Sequence, residues 1–168
     1  MTEAEKLFAS TVSEWEREEG AYDAIQSTRP QTAAYGLNDS PVGLMAWIVE
    51  KWRAWTDPDG NIEDYFSKDE LLTNVMIYWA TETANSSMRS YYERAHDTRR
   101  LKSDERILVP TGVALTTEPV ERAPREWAQR RYADLRRWTE FSSGGHFLAA
   151  ENPELLANEI RDFFRQFR

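Results

Sequence analysis

The chain has 168 residues, a net charge of −8 and a pI of about 4.9. Hydrophobic residues make up 40% of it and aromatic residues 12%, which is too much apolar material for a disordered chain. The negative charge argues against a nucleic-acid partner, since phosphate binding needs a basic surface. The absence of cysteine excludes disulfides, thiol catalysis and cysteine-ligated zinc, and it favours a cytoplasmic location.

Two further classes of partner are not indicated by the sequence. No apolar run approaches the roughly 20 residues of a membrane-spanning helix, so no membrane partner is expected. The two histidines, His96 and His146, lie far apart without the spacing of metal ligands, so we expect no metal site and no cofactor.

The first part of the chain reads as helices. Each has apolar residues at helical spacing or a polar cap at its start. The predicted segments are Glu3 to about Arg17, Tyr22 to about Thr28 with a stop before Pro30, Pro41 to Trp55 behind the cap Asn38-Asp39-Ser40, and Lys68 to about Ala95 behind a Ser67–Glu70 capping box. Poor helix formers predict an interruption of the last segment near residues 83–87.

The pattern changes after residue 104. A β-rich run covers 106–115, a helix covers Pro124 to about Ala133, and a second strand covers 137–141. A Gly144-Gly145-His146 turn follows, and then a helix with Asn152 as its cap and Pro153 at its first position. An apolar stripe on this helix is expected to be buried: Leu156, Ile160, Phe163, Phe164 and Phe167.

Two strands are an odd count for a helical chain of this size. A parallel sheet covered by helices normally has more strands, and an isolated pair would leave bare edges and an unmatched apolar face. The sequence therefore predicts that these strands are the last members of a larger sheet. A histidine on the loop after a late strand is where an α/β-hydrolase carries its general base.

Several blocks in the same order resemble the C-terminal portion of a microsomal-type epoxide hydrolase, a member of the α/β-hydrolase family. They include Tyr22 with Ile25-Gln26, residues 37–44, residues 66–74, Ser86-Ser87 with Tyr91, Val109-Pro110-Thr111-Gly112, and residues 144–147 with Glu154-Leu155-Leu156. The resemblance implies an α/β, helix-rich chain, an incomplete hydrolase fold in which a helical cap region (1–104) precedes the last two strand–helix elements of the hydrolase sheet (105–168).

The resemblance also implies an activity, the hydrolysis of an epoxide to a vicinal diol through an alkyl-enzyme ester. His146 would be the base that activates water, and Tyr22 and Tyr91 would hydrogen-bond the epoxide oxygen. For the carboxylate that orients the histidine, an ungapped match to the family pattern from Val109 to Trp127 falls on Pro119, which has no carboxylate. The two carboxylates nearby are Glu118 and Glu121. We favour Glu118, since it lies closer to the carboxyl end of its strand.

No glycine-flanked aspartate nucleophile and no His-Gly-rich oxyanion loop occur in the sequence. We therefore expect no turnover by the chain alone. Its expected partners are a small-molecule epoxide and either the missing N-terminal half or a second copy of the chain. The family points to a bacterial-like enzyme of detoxification or secondary metabolism. The alternatives are a non-catalytic binding module and a fragment without an independent role.

Overall fold

A computed structural model describes residues 1–58, 60–98 and 105–168. The α-helices are α1 (Glu3–Glu19), α2 (Ala21–Thr28), α3 (Pro30–Asp39), α4 (Pro41–Trp55), α5 (Ile62–Tyr65), α6 (Lys68–Ala80), α7 (Ala84–His96), α8 (Arg125–Arg131), α9 (Leu148–Glu151) and α10 (Pro153–Phe164). The strands are β1 (Thr111–Leu115) and β2 (Leu135–Glu140), and short 3₁₀ turns occupy Pro119–Glu121 and Arg165–Phe167. None of these helices is both long and apolar enough to cross a membrane.

The described residues fall into two compact units. The helical unit contains residues 15–54 and 62–98, and the strand unit contains residues 1–14, 55–58, 60–61 and 105–168. The predicted division at 104/105 borders residues 99–104, which lie outside the described residues. As a boundary between cap and hydrolase parts it stays a prediction.

The helical unit is organised around α7, which packs against α2 and α3. Its core contains Leu44, Val75 and Ala84, all almost fully buried. The predicted capping box at the start of α6 is present, because Ser67 accepts from the Glu70 backbone while the Glu70 carboxylate accepts from the Ser67 backbone.

The strand unit contains a two-stranded parallel sheet with Val113 opposite Trp138. The chain leaves β1, passes through the 3₁₀ turn and α8, and returns as β2 beside β1. Leu115, Phe141 and Leu148 are buried at the carboxyl ends of the strands and in the segment that follows. The fold confirms the predicted order of strand, helix, strand and helix.

Helix α3 was not predicted, because Pro30 was interpreted only as a stop. In the structure Pro30 occupies the first turn of α3, where its missing N–H costs nothing. The interruption expected at residues 83–87 lies instead between Ala80 and Ala84, where Glu82 has a φ of 54°.

The apolar stripe of α10 was expected to be buried, and for three of its members this was wrong. The exposed fractions of Ile160, Phe164 and Phe167 are 49%, 53% and 46%. Phe163 instead packs against the backbone of Gly112 in β1. Two strands are too narrow to cover the whole apolar face of the helix, so part of the stripe stays in contact with solvent.

Candidate active site

His146 lies on a tight loop between β2 and α9. Gly144 and Gly145 precede it and are buried, and Gly144 has a φ of +92°, which favours glycine. A Cβ atom on Gly145 would lie 2.7 Å from the backbone nitrogen of Asp57. Each glycine is thus required for its own reason, one by its backbone angle and the other by a close approach of two chain segments.

The imidazole of His146 is paired with Glu121. The distance from His146 Nδ1 to Glu121 Oε1 is 2.5 Å. An ionised carboxylate can only accept, so Nδ1 carries the proton and donates it to this hydrogen bond. This leaves Nε2, the other ring nitrogen, as the one that can accept a proton. The histidine side chain is 46% exposed, so water can reach it.

Thr116 holds the second oxygen of the Glu121 carboxylate. Its hydroxyl donates to Glu121 Oε2 at 2.7 Å and accepts from the backbone nitrogen of Glu118 at 3.1 Å. Thr116 is buried directly after the last residue of β1. The carboxylate therefore has one oxygen on the imidazole and the other on a buried hydroxyl, which fixes its orientation.

The hydrogen bond between the two side chains shifts both pKa values. For His146, the bond to Glu121 raises the pKa above 6.5 against the opposing effect of burial, and the charges of Glu121, Glu118 and Glu151 add to the rise. For Glu121, burial opposes ionisation, but the hydrogen bonds from His146 and Thr116 outweigh it and lower the pKa below 4.5. The pair therefore favours an ionised carboxylate.

The preference for Glu118 as the residue bonded to the histidine needs correction. Glu118 acts on His146 through its charge, whereas Glu121 makes the hydrogen bond. The reason is the 3₁₀ turn Pro119–Glu121, which bends the chain after β1 and returns position 121 to the imidazole. Proximity in sequence to the strand end was the wrong criterion.

Arg122 anchors this turn and was not singled out from the sequence. Its Nε donates to the carbonyl of Thr116 at 2.7 Å, and its Nη2 donates to the carbonyl of Phe141 at 2.5 Å. These carbonyls follow the ends of β1 and β2, so one guanidinium joins the two strand ends beside Glu121. No sequence signal marks Arg122, but a polar residue directly after a strand could have indicated Thr116.

Tyr22 and Tyr91 contact each other in the helical unit. Their ring centroids are 5.9 Å apart at an interplanar angle of 83°, an edge-to-face arrangement between α2 and α7. Burial, with contributions from Tyr91 and Asp23, raises the pKa of Tyr22 to about 12. Arg94 lies 5.1 Å from the centroid of the Tyr91 ring and bonds Asp23 at 2.8 Å.

The structure therefore forms two local pairs. In the strand unit, His146 pairs with Glu121, the alternative to Glu118, and in the helical unit Tyr22 pairs with Tyr91. Across the described ranges, no group of three or more histidine and carboxylate side chains is arranged to hold a metal ion. The chemistry available at His146 is proton transfer by an imidazole that a carboxylate orients.

Known proteins are similar in sequence to most of this chain. No family model matches the sequence. A Stigmatella aurantiaca protein that is provisionally named an epoxide hydrolase is 46% identical over 147 residues, which cover 88% of this chain and 33% of the relative. Epoxide hydrolase 1 of Sus scrofa is 44% identical over 153 residues, which cover 86% of this chain and 34% of the relative.

Comparison of the fold with solved structures also finds epoxide hydrolases. The crystal structure of juvenile hormone epoxide hydrolase from Bombyx mori matches with a TM-score of 0.84 and 36% identity, covering 97% of this chain and 39% of that one. The chain is homologous to a portion of the epoxide hydrolases. It spans about a third of the length of the curated relatives it matches.

This partial match to epoxide hydrolases, whose solved structures have the α/β-hydrolase fold, agrees with several expectations from the sequence. The partial coverage is consistent with a C-terminal portion and with the absence of a glycine-flanked aspartate from the chain. The small parallel sheet corresponds to only a fragment of the hydrolase fold.

Proposed function

We propose that this chain contributes the water-activating base and the two epoxide-binding tyrosines of an epoxide hydrolase active site. The observation that carries the proposal is the 2.5 Å hydrogen bond between Glu121 and His146, and His146 lies on the Gly-Gly loop that follows β2. His146 is the general base, Glu121 is the orienting carboxylate, and Tyr22 and Tyr91 are donors to the epoxide oxygen. The substrate is a small-molecule epoxide and the product a vicinal diol.

The first step needs a carboxylate that these residues do not supply. One of its oxygens attacks an epoxide carbon, the bond between that carbon and the ring oxygen breaks, and an ester forms. A tyrosine hydroxyl gives its proton to the departing oxygen and later regains one from solvent. The phenol of Tyr22, whose pKa burial raises to about 12, is protonated at neutral pH and can donate to this oxygen.

His146 acts in the second step. Its Nε2 takes a proton from water, and the resulting hydroxide adds to the ester carbonyl. The acyl carbon–oxygen bond then breaks and the imidazolium returns its proton to the departing alkoxide, which completes the diol. The new carboxylic acid loses its proton to solvent, and this regenerates the free carboxylate. Glu121 holds the ring in the tautomer this step requires, because its oxygen accepts from Nδ1–H.

A chimaera tests the activity. We would replace the matching segment of the Bombyx mori juvenile hormone epoxide hydrolase with this chain and measure the conversion of styrene oxide to its diol by chromatography. The chimaera should form the diol, and the isolated chain should not. His146→Gln should lower turnover by about 10²- to 10⁴-fold, which is typical for loss of a general base.

The variant also separates the two chemical steps. Because ester formation precedes the action of His146, intact-protein mass spectrometry should detect a stalled adduct in His146→Gln of the chimaera. His96→Gln is the matched control, since the His96 side chain is exposed and its Nδ1 forms a hydrogen bond with the carbonyl of Tyr92 one turn earlier in α7. Undiminished turnover in His146→Gln would contradict the assignment.

A second candidate function is a non-catalytic binding module. It is favoured by an open groove with a volume of about 310 Å³ beside β1 and α10, lined by residues that include Val113, Ile160 and Phe164. In this case the remainder of a hydrolase sheet or a second copy of the chain covers the groove. Saturable binding of an epoxide that persists in His146→Ala, without hydrolysis by the chimaera, would support it.

A further inference from the structure

The loop that carries His146 has an external acceptor for each of four consecutive backbone N–H groups. Gly144 donates to Asp57 Oδ2 at 2.6 Å, and His146 donates to the carbonyl of Trp55 at 2.8 Å. Gly145 and Phe147 donate to the two carboxylate oxygens of Glu151 at 2.8 and 3.1 Å. Such complete pairing favours a single backbone conformation, since a buried amide without an acceptor is destabilising.

Two of these acceptors come from a segment about ninety residues earlier in the chain. Trp55 ends α4, and Asp57 follows it, is only 4% exposed and belongs to the strand unit. The Asp57 backbone N–H also donates to Glu151 Oε2 at 3.1 Å. Glu151 therefore receives three backbone N–H groups and joins the 55–57 segment to the histidine loop.

The two segments are in direct backbone contact. A Cβ atom on Gly145 would collide with the carbonyl oxygen of Trp55 and would lie 2.7 Å from the carbonyl carbon of Thr56. The loop can therefore take this position only with glycine at 145, and only while residues 55–57 keep their path.

We propose that Asp57 and Glu151 are positioning residues that hold the His146 loop against residues 55–57 and so keep the imidazole on Glu121. Neither carboxylate touches a reacting atom; each acts on the backbone that carries the ring. The catalytic significance of the arrangement rests on the proposed function, but the positioning itself does not depend on turnover.

Asp57 allows a clean test. The charge of Glu151 acts on the pKa of His146, so removal of Glu151 changes both charge and position. Asp57→Ala removes the acceptor for Gly144 together with one carboxylate charge, whereas Asp57→Asn removes the charge alone. Asp57→Asn is the conservative partner, because its amide oxygen can still accept from Gly144.

The experiment is a titration of histidine ring signals by NMR in the full chain. There are only two histidines, and His96→Gln assigns the signal of His146. In Asp57→Ala we expect the His146 pKa to fall toward 6.5 and the downfield Nδ1–H signal to disappear. In Asp57→Asn the pKa and the signal should stay closer to their values in the parent chain. Glu154→Gln, an exposed carboxylate change in the same unit, should leave both unchanged.

An Asp57→Ala chain that is folded by circular dichroism and has an unaltered His146 pKa would overturn the proposal. If that variant does not fold, amide exchange in the parent chain decides. Protection at Gly144 and Phe147 to the level of buried helices supports the proposal, and rapid exchange refutes it. Neither measurement uses turnover, so failure here is distinct from failure of the chimaera to hydrolyse an epoxide.

Discussion

At the scale of single residues, Glu121 acts on His146 both as a hydrogen-bond acceptor and as a negative charge. Replacement by glutamine removes the charge and should lower the pKa of His146. A base must be neutral to accept a proton, so the acidic limb of the chimaera's kcat profile should move to lower pH. Its maximal kcat should also fall, because the tautomer is less strictly held.

Glu118→Gln is the matched control for this change. It removes the same charge from the same turn but leaves the hydrogen bond to Nδ1 in place. Its effect on the kcat profile should have the same direction and a smaller size. Equal shifts of the acidic limb in the two variants would show that charge alone, and not the hydrogen bond to Nδ1, determines the pKa of His146.

The same pair makes a pH-dependent contribution to stability. Glu121 has a lowered pKa, so its contribution is complete above 4.5 and is lost as pH falls through the folded value. His146 has a raised pKa, so its contribution is complete below 6.5 and is lost as pH rises through the folded value. The contribution should therefore be greatest between roughly pH 4.5 and 6.5.

Urea unfolding of the parent chain and of Glu121→Gln measures this dependence. The difference between their free energies of unfolding should be larger at about pH 5.5 than at about pH 8.5. A difference that does not change with pH would mean that the pair is not formed in solution.

The position of His146 on a turn after a strand could be predicted from the sequence, because a Gly-Gly turn after a strand is a local pattern. The carboxylate that hydrogen-bonds it could not, since this contact depends on a 3₁₀ turn that bends the chain between Pro119 and Glu121. Asp57 and Glu151 were missed for a related reason. Their contacts are with backbone amides, which carry no residue-specific signal, and Asp57 meets its partner about ninety residues away.

At the scale of elements, two glycine substitutions should have opposite effects. Gly145→Ala places a methyl group against the backbone of Trp55 and should lower the free energy of unfolding by about 1–3 kcal/mol. Gly36→Ala lies within α3 with no atom within 4 Å of the new Cβ and should raise it by about 0.5–1 kcal/mol. Thermal unfolding of both variants measures these changes in the free energy of unfolding.

Element prediction succeeded where caps and periodicity agreed, as at Ser67 and Asn152, whose side chains accept the expected backbone bonds. It failed at Pro30, because a proline can follow the end of one helix or begin the next. In the structure Pro30 does both, with only Arg29 between α2 and α3. The exposure of part of α10 was missed although two strands were predicted, because the burial of the stripe was judged from its helical spacing alone and not from the width of the sheet.

At the scale of the whole molecule, the exposed part of the α10 stripe should promote association. Phe164→Ser removes a large apolar side chain that is 53% exposed and should lower the fraction of dimers or aggregates. Sedimentation velocity at several concentrations measures the change. Leu7→Ser is the control, since Leu7 is 70% exposed but belongs to α1 and not to this stripe.

The incompleteness of the sheet was visible in the sequence from strand count alone, and the partial match to longer relatives agrees with it. The cytoplasmic location and the place of the chain in detoxification or secondary metabolism stay predictions. Both depend on context that composition and fold do not encode, and an acidic chain without cysteine suits several compartments.

The contact between Phe163 and Gly112 offers a spectroscopic marker. A Cβ atom on Gly112 would lie 2.7 Å from the Phe163 ring, so a Gly112 Hα proton lies against an aromatic face. The ring current should move its resonance upfield, out of the crowded glycine region. A single spectrum of a glycine-labelled sample would then report whether the last helix has docked on its strand, before any other signal is assigned.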